Sequence, residues 1–189
     1  TWIEHVFEFG AALPAMGVRV GPEEIKIEPA IPGMILTIDH SNRKDSLIKD
    51  ATFERLYAPN TPHTTSRTVR NCASCHTNPA ALGYGKGRLS YVMNSTSGTW
   101  VFEPEYAINP SDGLPEDAWI PFLKESKALK LSTRTDFRPF NLAEQQLILT
   151  VGSCLQCHEE DSKMMRESLK TGINPLLLKL TEQCLLPEF

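Results

Sequence analysis

Cys72-Ala73-Ser74-Cys75-His76 and Cys154-Leu155-Gln156-Cys157-His158 are one pattern written twice: two cysteines with a two-residue gap, then a histidine at once. Together they use four of the chain's five cysteines, the fifth being Cys184. Given this chain's own cysteine and histidine frequencies, one such pattern arises by accident in roughly one of three hundred sequences, so two are not coincidence. The spacing has a physical meaning. Two thiols three positions apart reach one side of a haem and form thioethers with its vinyl groups, and the next residue brings an imidazole under the iron. Cys72, Cys75, Cys154 and Cys157 are therefore candidate attachment residues for two haem c groups, and His76 and His158 the candidate proximal iron ligands.

Other uses of paired cysteines fit less well. A four-cysteine zinc site has halves about fifteen to twenty residues apart, far less than the stretch from Cys75 to Cys154, and does not explain a histidine after both pairs. A thioredoxin-like redox pair sits between a strand and a helix, which the proline-rich surroundings of Cys72 do not suggest, and needs no duplication. A disulfide within C-x-x-C closes too short a loop to restrain much of the unfolded chain.

Outward from the motifs, the 189 residues carry a net charge of -4, with 41% hydrophobic and 22% charged residues. That is the balance of a soluble globular protein, not of a disordered tail, a collagen-like rod or a polybasic nucleic-acid binder. The length allows one domain or two small ones. The richest apolar runs, at 32–38 and 176–180, are too short and interrupted for a membrane span. No initiator Met or basic leader opens the chain, and Glu4 and Glu8 interrupt any apolar run there, so the expectation is a removed signal or a piece of something longer. Fourteen prolines, concentrated at 14–32, 59–62 and 104–121, predict long irregular connections.

The remaining signals place the motifs among elements. Met34 to Ile38 is β-like and leads to His40. Asp45-Ser46 followed by Leu47, Ile48, Phe53, Leu56 and Tyr57 predicts a capped amphipathic helix that Pro59 ends. Residues 89–93 and 99–102 predict a hairpin, and Pro115-Glu116-Asp117 opens a predicted helix to about Leu129. Asn141 with Glu144 forms a capping-box signature ahead of a helix running into the second motif. Further helices are expected from Asp161-Ser162 to Gly172, and from Asn174-Pro175 with Leu177, Leu180 and Leu185. The run Gly83-Tyr84-Gly85-Lys86-Gly87 lacks phosphate-loop spacing and reads as backbone passing close to a haem edge. Cys184, between Leu180 and Leu185, reads as a buried thiol or as a partner for another chain.

At 63–88 and 140–160 the sequence resembles the multihaem c-type cytochromes, most closely along His63-Thr64-Thr65-Ser66-Arg67-Thr68-Val69-Arg70-Asn71-Cys72 and onward through Pro79. The resemblance implies a dihaem cytochrome or the C-terminal module of a larger one, mainly α with much irregular structure, a small β element and an architecture organised by its haems. It implies export before haem attachment, hence a periplasmic or other extracytoplasmic location, the cell surface included. Three segments are expected: 1–62 supplying distal ligands, 63–140 holding the first haem and the hairpin, and 141–189 holding the second haem among helices.

A haem that only carries electrons needs a sixth ligand. Met164 and Met165 follow His158 too closely to loop round the ring, and Met93 lies in a predicted strand. Histidine is therefore expected on both irons, from His63 in its turn-forming stretch and His40 at a strand end. By the crossing-over habit of the family, His40 would face His76 and His63 would face His158. The bland reading of His63 is a solvated loop residue, and His5 reads as a core or interface residue or as a ligand to a neighbour's haem. Arg67, Arg70, Lys86 and Arg88 read either as partners for haem propionates or as a solvated basic turn. The function this implies is electron transfer, more a carrier than a catalyst, with redox proteins or neighbouring haem subunits as partners, in an oligomer or a larger multihaem complex. The alternatives are an oxidoreductase module with one open iron acting on a small substrate, and a structural subunit of an electron-conducting assembly.

Overall fold

The computed structural model describes residues 3–7, 15–31, 35–38, 52–59, 70–126, 136–181 and 184–189. His40, His63, Arg67 and the predicted helix start at Asp45 lie outside them. Along the chain come β1 (Ile3–Phe7), β2 (Ala15–Val20), β3 (Ile25–Ile31), β4 (Ile35–Ile38), β5 (Thr52–Arg55), β6 (Ala58–Pro59), α1 (Ala73–His76) and α2 (Pro79–Leu82). Then follow β7 (Gly87–Met93), β8 (Gly98–Pro104), β9 (Phe137–Arg138), α3 (Leu142–Cys154), α4 (Lys163–Thr171) and α5 (Asn174–Leu177). The strands form three antiparallel sheets, in the orders β1-β4-β5, β6-β3-β2-β9 and β7-β8. Among the described residues no helix is long and apolar enough to cross a membrane.

The expected mainly α fold with a small β element is overturned: the chain is mixed α/β. Much of the difference lies in the first sixty residues. Of the prolines there, Pro22 lies in the turn between β2 and β3, and Pro29 lies within β3 itself, opposite Met16. Between them Ile25-Lys26-Ile27-Glu28 alternates with strand period and pairs with β2 through Val18↔Ile27 and Val20↔Ile25. The helix expected up to Tyr57 is also corrected. Its described part is strand, with Ile35↔Arg55 and Thr37↔Phe53 in register against β4. Pairing with a neighbour overrides the local spacing of Phe53 and Leu56.

A single apolar core joins the early sheet to the rest. Ala15, Val18, Ala30 and Tyr57 meet Leu82, Tyr84, Trp119 and Ile120 from the middle of the chain and Phe137, Phe140 and Leu149 from its later part. Tyr57 stacks on Trp119 with centroids 4.9 Å apart and leans on Phe137 at 5.3 Å. The protein's own side chains therefore supply this core.

The helix predicted from Pro115 does not form over the described residues 115–126. Its carbonyls are engaged elsewhere. Arg55, only 4% exposed, pairs with Asp112 and donates to the carbonyls of Leu114 (3.3 Å), Glu116 (2.9 Å) and Ala118 (2.5 Å). A guanidinium with five donors in a fixed fork holds such a loop in place of helical hydrogen bonds.

The local expectations in the second half are met more closely. β7 and β8 form the hairpin, with Leu89↔Phe102 and Tyr91↔Trp100 as cross-strand pairs on the core-facing side. α3 starts with a complete capping box: the Glu144 N–H donates to Asn141 Oδ1 and the Asn141 N–H to Glu144 Oε2, both at 2.9 Å. α4 is capped by the Ser162 hydroxyl and ends before Gly172. α5 is a single turn, shorter than expected. Beyond it the Leu186 carbonyl accepts from the Gly98 N–H and the Glu188 N–H donates to the Gly98 carbonyl, so the tail lies along β8.

Candidate functional site

The two C-x-x-C-H segments adopt the same turn. In the first, the N–H groups of Cys75 and His76 donate to the Cys72 carbonyl at 3.2 and 2.9 Å. In the second, those of Cys157 and His158 donate to the Cys154 carbonyl at 3.2 and 2.9 Å. Residues three apart on such a turn share one side, which is what a pair of thioethers to one ring requires. Asn71 prepares the first turn, its Oδ1 accepting from the Ser74 N–H at 2.9 Å and its carbonyl from the Ser74 hydroxyl at 2.7 Å. The second turn follows directly on α3, which ends at Cys154.

These two turns are brought together. α1 packs on α3, and the Ala73 N–H of the first motif donates to Glu160 Oε1, two residues past His158, at 3.1 Å. An open cavity of about 430 Å³ lies at this junction, lined by Ala73 from one motif, by Leu155, Gln156, Cys157 and His158 from the other, and by Glu159 and Glu160 just beyond it. Its size falls within the range of small-molecule and cofactor sites.

His76 is held by α3. Its Nδ1 lies 2.9 Å from the Ile148 carbonyl oxygen. A carbonyl only accepts, so Nδ1 carries a proton in this contact, and in the neutral ring that leaves the lone pair on Nε2, the tautomer that a metal-ligating histidine uses. Close approach of α1 to α3 depends on Gly152, where a Cβ would lie 2.6 Å from the His76 carbonyl oxygen and 3.1 Å from Trp100 Cζ2. Trp100 in turn donates from Nε1 to the Leu149 carbonyl at 3.0 Å. Consecutive carbonyls of α3 thus anchor the first motif and the hairpin.

Tyr91 extends this support to the second motif. It packs on Trp100 at 4.9 Å and donates to the Leu185 carbonyl at 2.6 Å. Burial raises its pKa, against the Ser153 hydroxyl, which lowers it. Burial also pushes the Cys154 thiol up, with Cys184 and Cys157 adding to the shift. At neutral pH Cys154 is therefore a thiol rather than a thiolate.

Among the described residues, no group of three or more His, Cys, Asp or Glu side chains could hold a metal ion. All four motif cysteines are described, so they do not converge as a zinc site would require. Each motif offers two thiols and one imidazole, the donor types by which a covalently attached haem is held.

The other expected site residues are distributed as follows. His63 and His40 lie outside the described residues, and the backbone of His5 is in β1. Met93 is exposed at the end of β7, and Met165 is on the buried side of α4. Of the proposed propionate partners, Arg88 is engaged with Glu103 at 2.5 Å, and Lys86 lies 3.5 Å from the Tyr106 hydroxyl. Arg70 is at the site itself, 3.4 Å from the Ser74 carbonyl and 3.9 Å from Cys75 Sγ. The glycine run makes its close approach to Asp117: the Lys86 N–H donates to Asp117 Oδ2 at 2.7 Å, and Gly85, at φ 86°, leaves no room for a Cβ beside that carboxylate.

Sequence reasoning missed the Ile148 carbonyl, Gly152, Trp100 and Glu160. A backbone acceptor has no sequence signature, but a glycine inside the helical stripe just before Cys154 is a sign of close backbone approach. Comparison with protein-family models, with curated proteins and with solved structures finds no match to this chain.

Proposed function

We propose that the chain is a dihaem c-type electron-transfer protein. The observation that carries this reading is the pair of C-x-x-C-H turns of matching geometry, packed against one another, with the His76 imidazole held in an iron-ligating tautomer by Ile148. Cys72 with Cys75 and Cys154 with Cys157 would hold the two haems, and His76 and His158 would ligate their irons through Nε2. Each haem would supply an Fe(III)/Fe(II) couple.

The chain's own residues do the rest. Ile148 fixes the His76 proton on Nδ1 and so fixes which nitrogen faces the metal. Gly152 and Glu160 keep the two attachment turns close, which favours electron exchange between the groups they hold. Protein packing around each site and nearby charge, Arg70 and Glu160 among it, set the potentials. His63 and His40 are the proposed distal ligands. Such a protein is loaded in an extracytoplasmic space and exchanges electrons with redox proteins or neighbouring haem subunits.

Optical and EPR spectra of the purified protein, followed through a redox titration, test this. Two low-spin haems that cycle reversibly and do not take up CO support a carrier. A high-spin, CO-binding iron in the wild type overturns the carrier reading in favour of an oxidoreductase.

A further inference from the structure

β3 is an outer strand over most of its length. Among the described residues β6 pairs only with its end, at Ala30 and Ile31, and no strand lies along its edge from Ile25 to Pro29. The direction of its backbone groups follows from β2. The Val20 N–H donates to the Asp136 carbonyl at 2.7 Å, so Val20, and Val18 two residues before it, turn their backbone groups toward β9. Their partners across the sheet, Ile25 and Ile27, therefore turn theirs away from β2 and out of the edge. Pro29 is two residues further on, so its missing N–H faces the same open side, where a ladder loses least. Side chains are uncovered there too. The side of the sheet that Val18 takes into the core, at 2% exposure, runs on to Val20, Ile25 and Ile27, which are 47%, 65% and 61% exposed. The opposite side carries Arg19, Lys26 and Glu28, with Arg19 paired to Glu28 at 2.7 Å and Lys26 to Glu24 at 2.6 Å.

We propose that this edge pairs, antiparallel, with the same edge of a second copy of the chain, about a two-fold axis at Ile27. The Ile27 N–H then donates to the Ile27 carbonyl of the second copy and the Ile25 N–H to its Pro29 carbonyl, each bond being returned by symmetry. On the apolar side Ile27 meets Ile27 and Ile25 meets Pro29. On the other side Lys26 stands opposite Glu28, so charges alternate across the joined sheets from Arg19 through Glu28 to Lys26 of the second copy. Lysine and proline on an edge ordinarily prevent such pairing, and here they select its register. Moving the axis to residue 26 sets Lys26 against Lys26. Moving it to residue 28 sets Glu28 against Glu28 and brings Lys26 onto Ala30, which β6 already holds. A strand pair of this length is smaller than the contact of about 1,200 Å² or more that stable complexes make, so the dimer forms reversibly as concentration rises. This pairing is independent of the haem reading.

Sedimentation of the full chain, from about 10 μM to about 1 mM, tests the pairing. The average mass is expected to rise with concentration from one chain toward two. A mass of one chain throughout overturns the proposal, and so does growth past two, because a closed two-fold stops at a dimer. Lys26→Glu, which sets a carboxylate against Glu28 on both sides of the axis, is expected to raise the dissociation constant about tenfold. Ile27→Lys, at a position already open to water, is expected to give a folded monomer at every concentration. Val92→Lys, at an exposed position of the β7-β8 hairpin, is expected to leave dimerisation unchanged. Dimers that withstand both edge substitutions, or that Val92→Lys disperses, place the contact on another face and overturn the inference.

Discussion

The carbonyl oxygen of His76 lies 2.6 Å from where a Cβ on residue 152 would be, so the end of the first C-x-x-C-H segment rests directly on the helix that leads into the second. Gly152→Ala forces backbone against backbone, which a flexible side chain cannot relieve. We expect a loss of about 1 to 3 kcal/mol in urea denaturation. With it the hydrogen bond from His76 to Ile148 weakens, read by NMR as faster exchange of the Nδ1 proton. A stability within error of wild type would show that α1 does not pack there.

Arg55 is the second place where a single side chain holds distant backbone. Arg55→Leu removes the charge facing Asp112 and strands the carbonyls of Leu114, Glu116 and Ala118. Breaking a buried pair from one side costs about 3 to 5 kcal/mol, and unfolding by denaturant should show a loss of that order. Asp112→Asn keeps an acceptor for the guanidinium and should cost clearly less.

Glu144 gives a pH dependence whose sign is fixed. Burial alone would raise its pKa, but the bidentate hydrogen bonds from Arg138, at 2.7 and 2.8 Å, and the Asn141 N–H outweigh it and hold the carboxyl below its usual value. The folded pKa is the lower one, so the stabilisation is present above the unfolded value of about 4.3 and is lost as pH falls through the folded value. Glu144→Gln should cost up to about 1 kcal/mol at pH 7. That gap should close in thermal melts taken progressively below pH 4. A gap independent of pH would mean that the charge plays no part in holding the start of α3.

Local chemistry was legible in the sequence. The capping box of Asn141 and Glu144, the Ser162 cap and the β7-β8 hairpin each depend on residues a few positions apart, and each is found where its signal stood, while the repeated C-x-x-C-H pattern folds as two matching turns. What was not legible depends on distant partners. Thr52 to Arg55 joins a sheet because β4 lies beside it, and within the irregular stretch 115–126 the carbonyls of Glu116 and Ala118 go to Arg55 rather than to a helix. A proline read as a break, Pro29, sits within β3 opposite Met16, so the early sheets looked like coil. In the site, the cysteines and His76 and His158 were visible as residues. Their union through Ile148, Gly152 and Glu160 was not, since it is made by backbone and by packing across the chain.

For the distal side of the irons, His63→Ala should make one haem high-spin and CO-binding while both haems stay attached, because thioethers hold the ring and only the axial bond is lost. The potential at that centre should rise. His40→Ala should do the same at the other iron. Spectra that stay fully low-spin in His63→Ala would remove that residue from the ligand set.

The central claim is covalent attachment at both motifs, and intact mass after acid-acetone extraction tests it most directly. The account predicts the polypeptide plus two haems, with one carried on the peptide containing Cys72 and Cys75 and the other on that containing Cys154 and Cys157. A mass equal to the bare polypeptide would contradict it.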